Sequence, residues 1–477
     1  MMIRLSGLHH RVRVAMWAGP VLFALITWLG GDAAGFKQAA ALGTVVWMGI
    51  WWIMRPVHIA VTALLPIAVN TLFDLVPMQH IVSQYFSEII VLILGADIMC
   101  MTWTATGLDK RLALKTLCYI GSSMRQQITI WLTVSALLSV FLPNVVVCTL
   151  MVPVAISMLE FIGEKSIRSS KVAIPILLAI AWGAGIGGVG SPLGGAANLV
   201  TISYLEKITG HEFMYVDWFV RFLPFLALLI LVNLVFLLHL PVPTQQLADS
   251  KEYFRGQYRE LGPMSRSEII SLVMFITGTV LAFVRPLYAD IFPALKPAYV
   301  FLIFAILYFL IKNDSGRPLL DWEMTEKHIM WGLLILFGGG LALGDLVTET
   351  GAAAKLAEGI TLLPLSGGIE TIFVFTVFSV IMTEISSNTA AAAIAIPIVQ
   401  SIVQTMGLDP IPYLLIVTVG VNTAYMLPVS IRAIPVSYGM DSSVLFKNGF
   451  MVALCSILAI TVLGWLFMLA WPGYGNI

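Results

Sequence analysis

Apolar residues run in long blocks along the chain, separated by short polar, glycine-rich or proline-rich breaks. Blocks long enough to cross about 30 Å of hydrocarbon fall roughly at 14–32, 39–54, 57–76, 87–106, 173–205, 217–240, 267–285, 297–312, 328–348, 412–439 and 446–471. Two further blocks, about 126–162 and 368–405, are interrupted in the middle by Pro143-Asn144 and by Ser387-Asn388-Thr389. Such an interruption predicts a re-entrant helical hairpin rather than a simple span. Blocks 173–205 and 412–439 carry Gly and Pro at mid-run, including Gly190-Ser-Pro192 and Leu427-Pro428. Each therefore predicts a helix broken at mid-membrane. The expected fold is an all-α polytopic membrane protein with about 11 transmembrane helices, two re-entrant hairpins and two broken helices.

The blocks repeat. Asn144 and Asn388 are 244 residues apart, and so are Pro153 and Pro397, Gly95 and Gly339, Gly107 and Gly351, Leu112 and Leu356, and Ala113 and Ala357. One offset holding across this stretch indicates an internal duplication. A weaker offset of 236 relates Leu178 to Leu414, Ile180 to Ile416 and Pro192 to Pro428. An odd number of crossings between the halves makes them inverted repeats, the layout of secondary transporters. Amphipathic segments at Leu108–Leu117 and Ala352–Leu362 precede the hairpins and are expected at the membrane interface. The expected divisions are 1–125 (scaffold helices), 126–240 (first transport region), 241–266 (cytoplasmic linker with a short surface helix), 267–367 (scaffold helices) and 368–477 (second transport region).

Composition agrees with a membrane chain. Of 477 residues, 59% are hydrophobic and 11% charged, against about 25% charged in soluble domains. Net charge is zero, but its placement is uneven. With the N-terminus inside, 19 of 26 Lys and Arg fall on the cytoplasmic side, six fall opposite, and Arg432 lies within a block. The positive-inside rule then places the N-terminus in the cytoplasm and the C-terminus on the other face, in a plasma (inner) membrane. The four cysteines show no paired spacing and are read as reduced packing residues. Seven scattered histidines, with no His-Glu-x-x-His or Gly-x-Ser-x-Gly pattern, argue against an integral-membrane enzyme. No nucleic-acid partner is expected and no signalling domain for an anion sensor is evident; a channel is an alternative, against which the duplicated broken-helix layout argues for alternating access.

Polar residues at membrane depth are costly and mark candidate sites. Ser387, Asn388 and Thr389 read either as a helix cap or as an anion-binding helix N-terminus, two roles with one geometry. Asn144 has fewer polar neighbours, and Asn198 serves equally well as a brace for broken backbone. Arg432 reads as a substrate contact, as a built-in cation in place of a transported one, as an ion-pair partner of Glu384, or as a side chain reaching the interface. A substrate or ion-site role is favoured. Glu384 reads as a structural partner of its hairpin rather than a proton carrier, and Asp97 as a residue solvated at a helix kink. Trp47, Trp51 and Trp52 read as interfacial anchors.

Several stretches resemble the divalent anion:sodium symporter family of dicarboxylate, tricarboxylate and sulfate transporters. They are Trp331-Gly…Phe337-Gly338-Gly339-Gly340, Thr383-Glu384-Ile-Ser-Ser387-Asn388-Thr389-Ala, Thr62-Ala-Leu-Leu-Pro66 and Tyr425-Met-Leu-Pro428-Val. The resemblance spans nearly the whole chain. It implies a homodimer whose transport domain moves like an elevator and binds a small anion between the hairpin tips. It implies sodium sites at Asn144 with the Gly194–Asn198 loop, and at Thr383, Ser387 and Asn388 with the loop around Ala424 and Ser430. The chain departs from the pattern at three places. Pro143-Asn144-Val145 stands where the family has Ser-Asn-Thr, Gly194-Gly195-Ala-Ala-Asn198 where it has Gly-Thr-Pro-Pro-Asn, and Ile431-Arg432-Ala-Ile where it has Thr-Pro-Pro-Asn.

The resulting expectation is a secondary transporter of a small, divalent organic anion of C4-dicarboxylate type, with sulfate or a sulfonate as the alternative. It is coupled weakly to sodium or runs as an exchanger. The candidate substrate residues are Asn144, Gly195, Ser387, Asn388, Thr389 and Arg432. The candidate sodium residues are Asn144, Gly194, Asn198, Thr383, Ser387, Asn388, Ala424 and Ser430. No cofactor is expected beyond Na+ as a coupling ion.

Overall fold

The computed structural model describes residues 2–119, 121–164, 167–168, 170–242, 248–352, 355 and 365–476. Among these residues all regular structure is helical, apart from one isolated β-bridge between Lys312 and Pro318. Eight described helices are long and apolar enough to cross a membrane, and Ile59–Phe73, Pro297–Tyr308 and Ile411–Val421 are shorter apolar stretches. The all-α polytopic class follows.

The element order repeats as the duplication predicts. In the first half, helix Glu88–Thr106 leads through Leu108–Leu117 to a hairpin of Met124–Phe141 and Asn144–Phe161. A broken helix (Ala173–Gly187, then Ala196–Thr209) and the long helix Tyr215–Leu238 follow. The second half runs from Trp331–Glu349 to a hairpin of Ile369–Ile385 and Asn388–Thr405. Its broken helix (Ile411–Val421, then Ala433–Ser437) and long helix Ser442–Ala470 complete the repeat. Each hairpin turns over two residues, Leu142-Pro143 and Ser386-Ser387. The segment Ala352–Leu362, with Leu356 and Ala357, lies largely outside the described residues.

Four local expectations are corrected. Block 57–76 is not one span but two helices, Ile59–Thr62 and Leu65–Phe73. Pro66 in the second has no N–H to give the Thr62 carbonyl and so continue the first, and the Tyr85 hydroxyl donates to the neighbouring Ala63 carbonyl at 2.5 Å. Of the three tryptophans, Trp52 packs inside the protein, and Trp47 and Trp51 are half-buried against Gly19. Trp52 is fully buried and donates to the Ile59 carbonyl at 3.2 Å, while Trp51 donates to that of Ala15 at 3.2 Å. Asp97 lies in the unbroken helix Glu88–Thr106 and accepts the Met330 N–H at 3.2 Å, so no kink solvates it. The linker helix Ala248–Glu260 buries Phe254 against Trp131 of the first hairpin, with ring centroids 5.9 Å apart, so it is docked as well as amphipathic.

What holds the first hairpin to its broken helix is backbone-to-backbone contact. Gly183 and Gly187, four residues apart, face Leu132 and Ala136, also four apart. A Cβ at Gly183 would lie 2.5 Å from the Leu132 carbonyl oxygen, and one at Gly187 2.2 Å from that of Ala136. This is the small-xxx-small packing that drives helix association where lipid offers no hydrophobic contrast. The hairpins and broken helices also lean on helix Trp331–Glu349. Gly340 admits Ala393 there, and Lys207 reaches Asp345 at 2.5 Å. Replacing Gly187 by Leu should therefore separate the first hairpin from its broken helix, at a cost of about 1–3 kcal/mol or more. The expected readout is a lowered thermal midpoint in detergent; a midpoint equal to wild type would contradict this packing.

Candidate functional site

The two broken helices meet at their breaks. Thr201 and Thr418 hydroxyls lie 2.6 Å apart, and Asn422 donates from Nδ2 to Asn198 Oδ1 at 2.8 Å. Asn198 is fully buried and donates to the carbonyls of Gly188 at 2.7 Å and Ser191 at 2.8 Å. Its amide is thus committed to the backbone of the first break. That is the bracing role of the two readings, and it spends both N–H groups of the side chain on the backbone.

The first break is joined to its hairpin by neutral groups. Ser139 donates to the Ala184 carbonyl at 2.7 Å, and Ser191 donates to that of Val140. The Ser191 hydroxyl also accepts the N–H groups of Leu193 and Gly194, each at 3.2 Å. Gly194 sits so close to Ser139 that a Cβ would be 2.4 Å from its carbonyl oxygen. Gly195 would place a Cβ 2.9 Å from Asn422 Oδ1, a buried acceptor with no protein donor. Asn144 opens the second arm of this hairpin and is half-buried. No hydrogen bond joins its side chain to the described residues of the Gly194–Asn198 loop.

The second break is built around charge. Glu384, 2% exposed, accepts the N–H of Tyr425, that of Met426 at 2.9 and 3.0 Å, and that of Leu427 at 3.1 Å. One carboxylate thereby satisfies three consecutive backbone donors freed by the break. Arg432, 1% exposed, answers on the acceptor side. Its Nε donates to the Leu427 carbonyl at 2.8 Å, Nη1 to that of Ala424 at 3.4 Å, and Nη2 to that of Thr383 at 3.4 Å. Its distance to the Glu384 carboxylate is 4.0 Å. Ser430, two residues earlier, takes a left-handed φ of 56° that starts the turn bringing Arg432 inward.

The tip of the second hairpin is ordered next to this clamp. Ser387 caps helix Asn388–Thr405 by accepting the Ala390 N–H at 3.2 Å, and Thr383 donates to Asn388 Oδ1 at 2.9 Å. Thr389 is buried at the same N-terminus. Thr383, Ser387, Asn388, Ala424 and Arg432 are thus drawn together, as are Gly194, Gly195 and Asn198. The hairpin of the first half reaches the second break through Cys148, whose thiol lies 3.5 Å from the Ile431 carbonyl.

Ser139, Ser191 and Asn422 are the residues that sequence reasoning passed over. Ser139 carried a signal, since it stands 244 residues before Thr383, the offset of the duplication itself. Asn422 carried only its polarity at the end of an apolar run.

A helical protein with paired hairpins and broken helices meeting at buried polar breaks is an integral membrane transporter. The chain belongs to the citrate transporter family, whose model matches residues 49–420, and with it to the divalent anion:sodium symporters. It is similar to the sodium-dependent dicarboxylate transporter SdcS of Staphylococcus saprophyticus, with 27% identity over 467 residues covering 94% of this chain and 90% of that protein. The Staphylococcus aureus protein of the same name is 26% identical over 473 residues, covering 95% and 91%. Among solved structures, the crystal structure of the Alcanivorax borkumensis YdaH transporter matches with a TM-score of 0.57 at 13% identity. That match covers 85% of this chain and 89% of that one, a likeness of fold. The protein is a transporter of a small anion, not an enzyme.

Removing one partner of a buried ion pair costs about 3–5 kcal/mol. Arg432→Gln and Glu384→Gln should each lower the thermal midpoint sharply. The double variant should fall by less than the sum, with a coupling of about 1 kcal/mol or more. Additive losses would mean that the two groups do not act as a pair.

Proposed function

We propose that this protein exchanges small organic dianions of C4-dicarboxylate type across the plasma membrane, with Arg432 standing as a tethered cation where relatives carry a transported one. The observation that carries this reading is the guanidinium on the carbonyls of Thr383 and Ala424. A cation at those oxygens would compete directly with Arg432. The names of the relatives support the dicarboxylate and make sodium the natural coupling ion. In this chain one of the two expected sodium positions is filled by a group that never leaves.

Charge bookkeeping then favours exchange. Each elementary charge moved across 100 mV does about 2.3 kcal/mol of work, so a dianion entering a negative interior meets about 4.6 kcal/mol. Co-moving sodium offsets that work in a symporter. A tethered cation returns with the carrier and offsets nothing, and Glu384 already balances its charge. Swapping one dianion for another cancels the term. The substrate would be held at the tips by Asn144 and by Ser387, Asn388 and Thr389, with Gly195 leaving room for it. Residues 126–240 and 368–477 would move as an elevator against a scaffold formed by 1–125 and 267–367, in a homodimer with a cytoplasmic N-terminus.

Proteoliposomes test this reading. Uptake of labelled succinate should require unlabelled dicarboxylate inside, and should change little with a sodium gradient or an imposed membrane potential. Sodium-driven uptake into empty vesicles, with a Hill slope near two, would overturn it. Citrate and sulfate as internal counter-substrates identify the anion class. Asn388→Ala should slow exchange ten- to a hundredfold, the loss of about 1.5–3 kcal/mol expected for a hydrogen bond to a charged group. Unchanged exchange would return Asn388 to a purely structural role.

A further inference from the structure

A cavity of about 240 Å³ lies against helix Glu88–Thr106, lined among others by Asp97, Met101, Val146, Met324, His328 and Met330. Its walls come from three separate elements. Asp97 and Met101 belong to helix Glu88–Thr106, and Met324 and His328 to the short helix Trp322–His328. Val146 belongs to the first hairpin, two residues beyond Asn144.

The polar content of this cavity is unusual. Asp97 is 9% exposed, and its carboxylate has one protein donor, the Met330 N–H at 3.2 Å on Oδ2. Among the described residues it forms no ion pair. A charged carboxylate buried at membrane depth is costly unless it is paired, and the cavity leaves room beside it for a cation that would pair it. His328, whose Nδ1 is engaged with the Met324 carbonyl at 2.7 Å, forms no ion pair with Asp97. The methionines contribute flexible, polarisable walls that mould to an apolar body. One carboxylate with thioether and alkyl neighbours does not make a metal site, and no metal-binding cluster occurs among the described residues. A dianionic substrate is repelled by the same group.

We infer that this cavity is a binding site for a compact organic ammonium, with the cationic head on Asp97 and the apolar body against Met101, Met324 and Val146. The wall formed by Val146 belongs to a hairpin, whereas the other walls belong to the flanking helices. An occupant therefore bridges the two, and where the hairpin moves as proposed above, it acts as a wedge that arrests exchange. Binding itself does not depend on that transport reading; the arrest does.

The test uses the full-length protein with 1-adamantylamine as the cationic probe and adamantane-1-carboxylate as its anionic counterpart. Titrated into protein in detergent, the amine should raise the thermal midpoint saturably and the carboxylate should not. Asp97→Asn should weaken amine binding at least tenfold. Met324→Trp, which fills the cavity and keeps Asp97, should abolish it, and this serves if Asp97→Asn fails to fold. Equal binding of both probes, or amine affinity unchanged in both variants, overturns the site. In proteoliposomes the amine should inhibit succinate exchange in wild type and not in Met324→Trp. Saturable, Asp97-dependent binding without inhibition would uphold the site and overturn the elevator reading on which the wedge rests.

Discussion

A guanidinium and a carboxylate, both almost wholly shielded from solvent, meet in the break of the second broken helix, and much of the local geometry follows from satisfying them. Glu384 on the second hairpin takes the three N–H groups of Tyr425, Met426 and Leu427, and Arg432 takes carbonyls from Thr383, Ala424 and Leu427. A break in a membrane helix exposes donors and acceptors that hydrocarbon cannot satisfy. Here a single charged pair closes both sets at once, and does so from two different elements. The hairpin tip is consequently fixed to the break, which places Ser387, Asn388 and Thr389 at a defined helix N-terminus. The break's own N–H groups at Tyr425, Met426 and Leu427 are consumed by Glu384.

The architecture was largely legible because it is written in residue type. Hydrophobic blocks interrupted by Pro143-Asn144, by Ser387-Asn388-Thr389 and by clusters of Gly and Pro point to helices that turn or break, and a constant offset of 244 exposes the duplication. The failures have physical causes. Pro66 was visible inside block 57–76, but the block's total length argued for one span and the missing N–H argued for two; the backbone constraint prevailed. The tryptophans were assigned by their general preference for interfaces, whereas Gly19 and its neighbours opened room for them inside the first helix pair. Apart from Glu384, the partners of Arg432 were not legible in the sequence. They are mostly backbone carbonyls, which every residue type supplies, so no side-chain pattern marks them.

The two halves solve the same problem with different chemistry. The first break is braced by Ser139, Ser191, Asn198 and Asn422, all neutral, and the second by Glu384 and Arg432. Their equivalence under the duplication makes the contrast sharp, since Thr383 and Ser139 occupy matching positions one residue before Glu384 and Val140. Where one copy offers a carboxylate side chain to its break, the other offers only the Val140 carbonyl, and the break's N–H groups turn to Ser191 instead. Neutral braces also bond with modest net strength, about 0.5–1.5 kcal/mol each. The charged clamp resists the loss of either member more strongly.

That difference bears on what can be cargo. A transported ion must be bound by groups that tolerate its departure, with the vacated oxygens free to rehydrate or relax. The carbonyls of Ala424 and Leu427 in the break and of Thr383 on the hairpin are held by a cation that is covalently part of the chain. Under the exchange proposed above, sodium has no closing work to do at this position, and coupling falls to the neutrally braced first break or to the counter-moving substrate itself. Of these, only the counter-substrate carries enough charge to cancel that of an incoming dianion in full. Under that proposal, a clamp that repairs a broken helix also limits the thermodynamics open to the carrier.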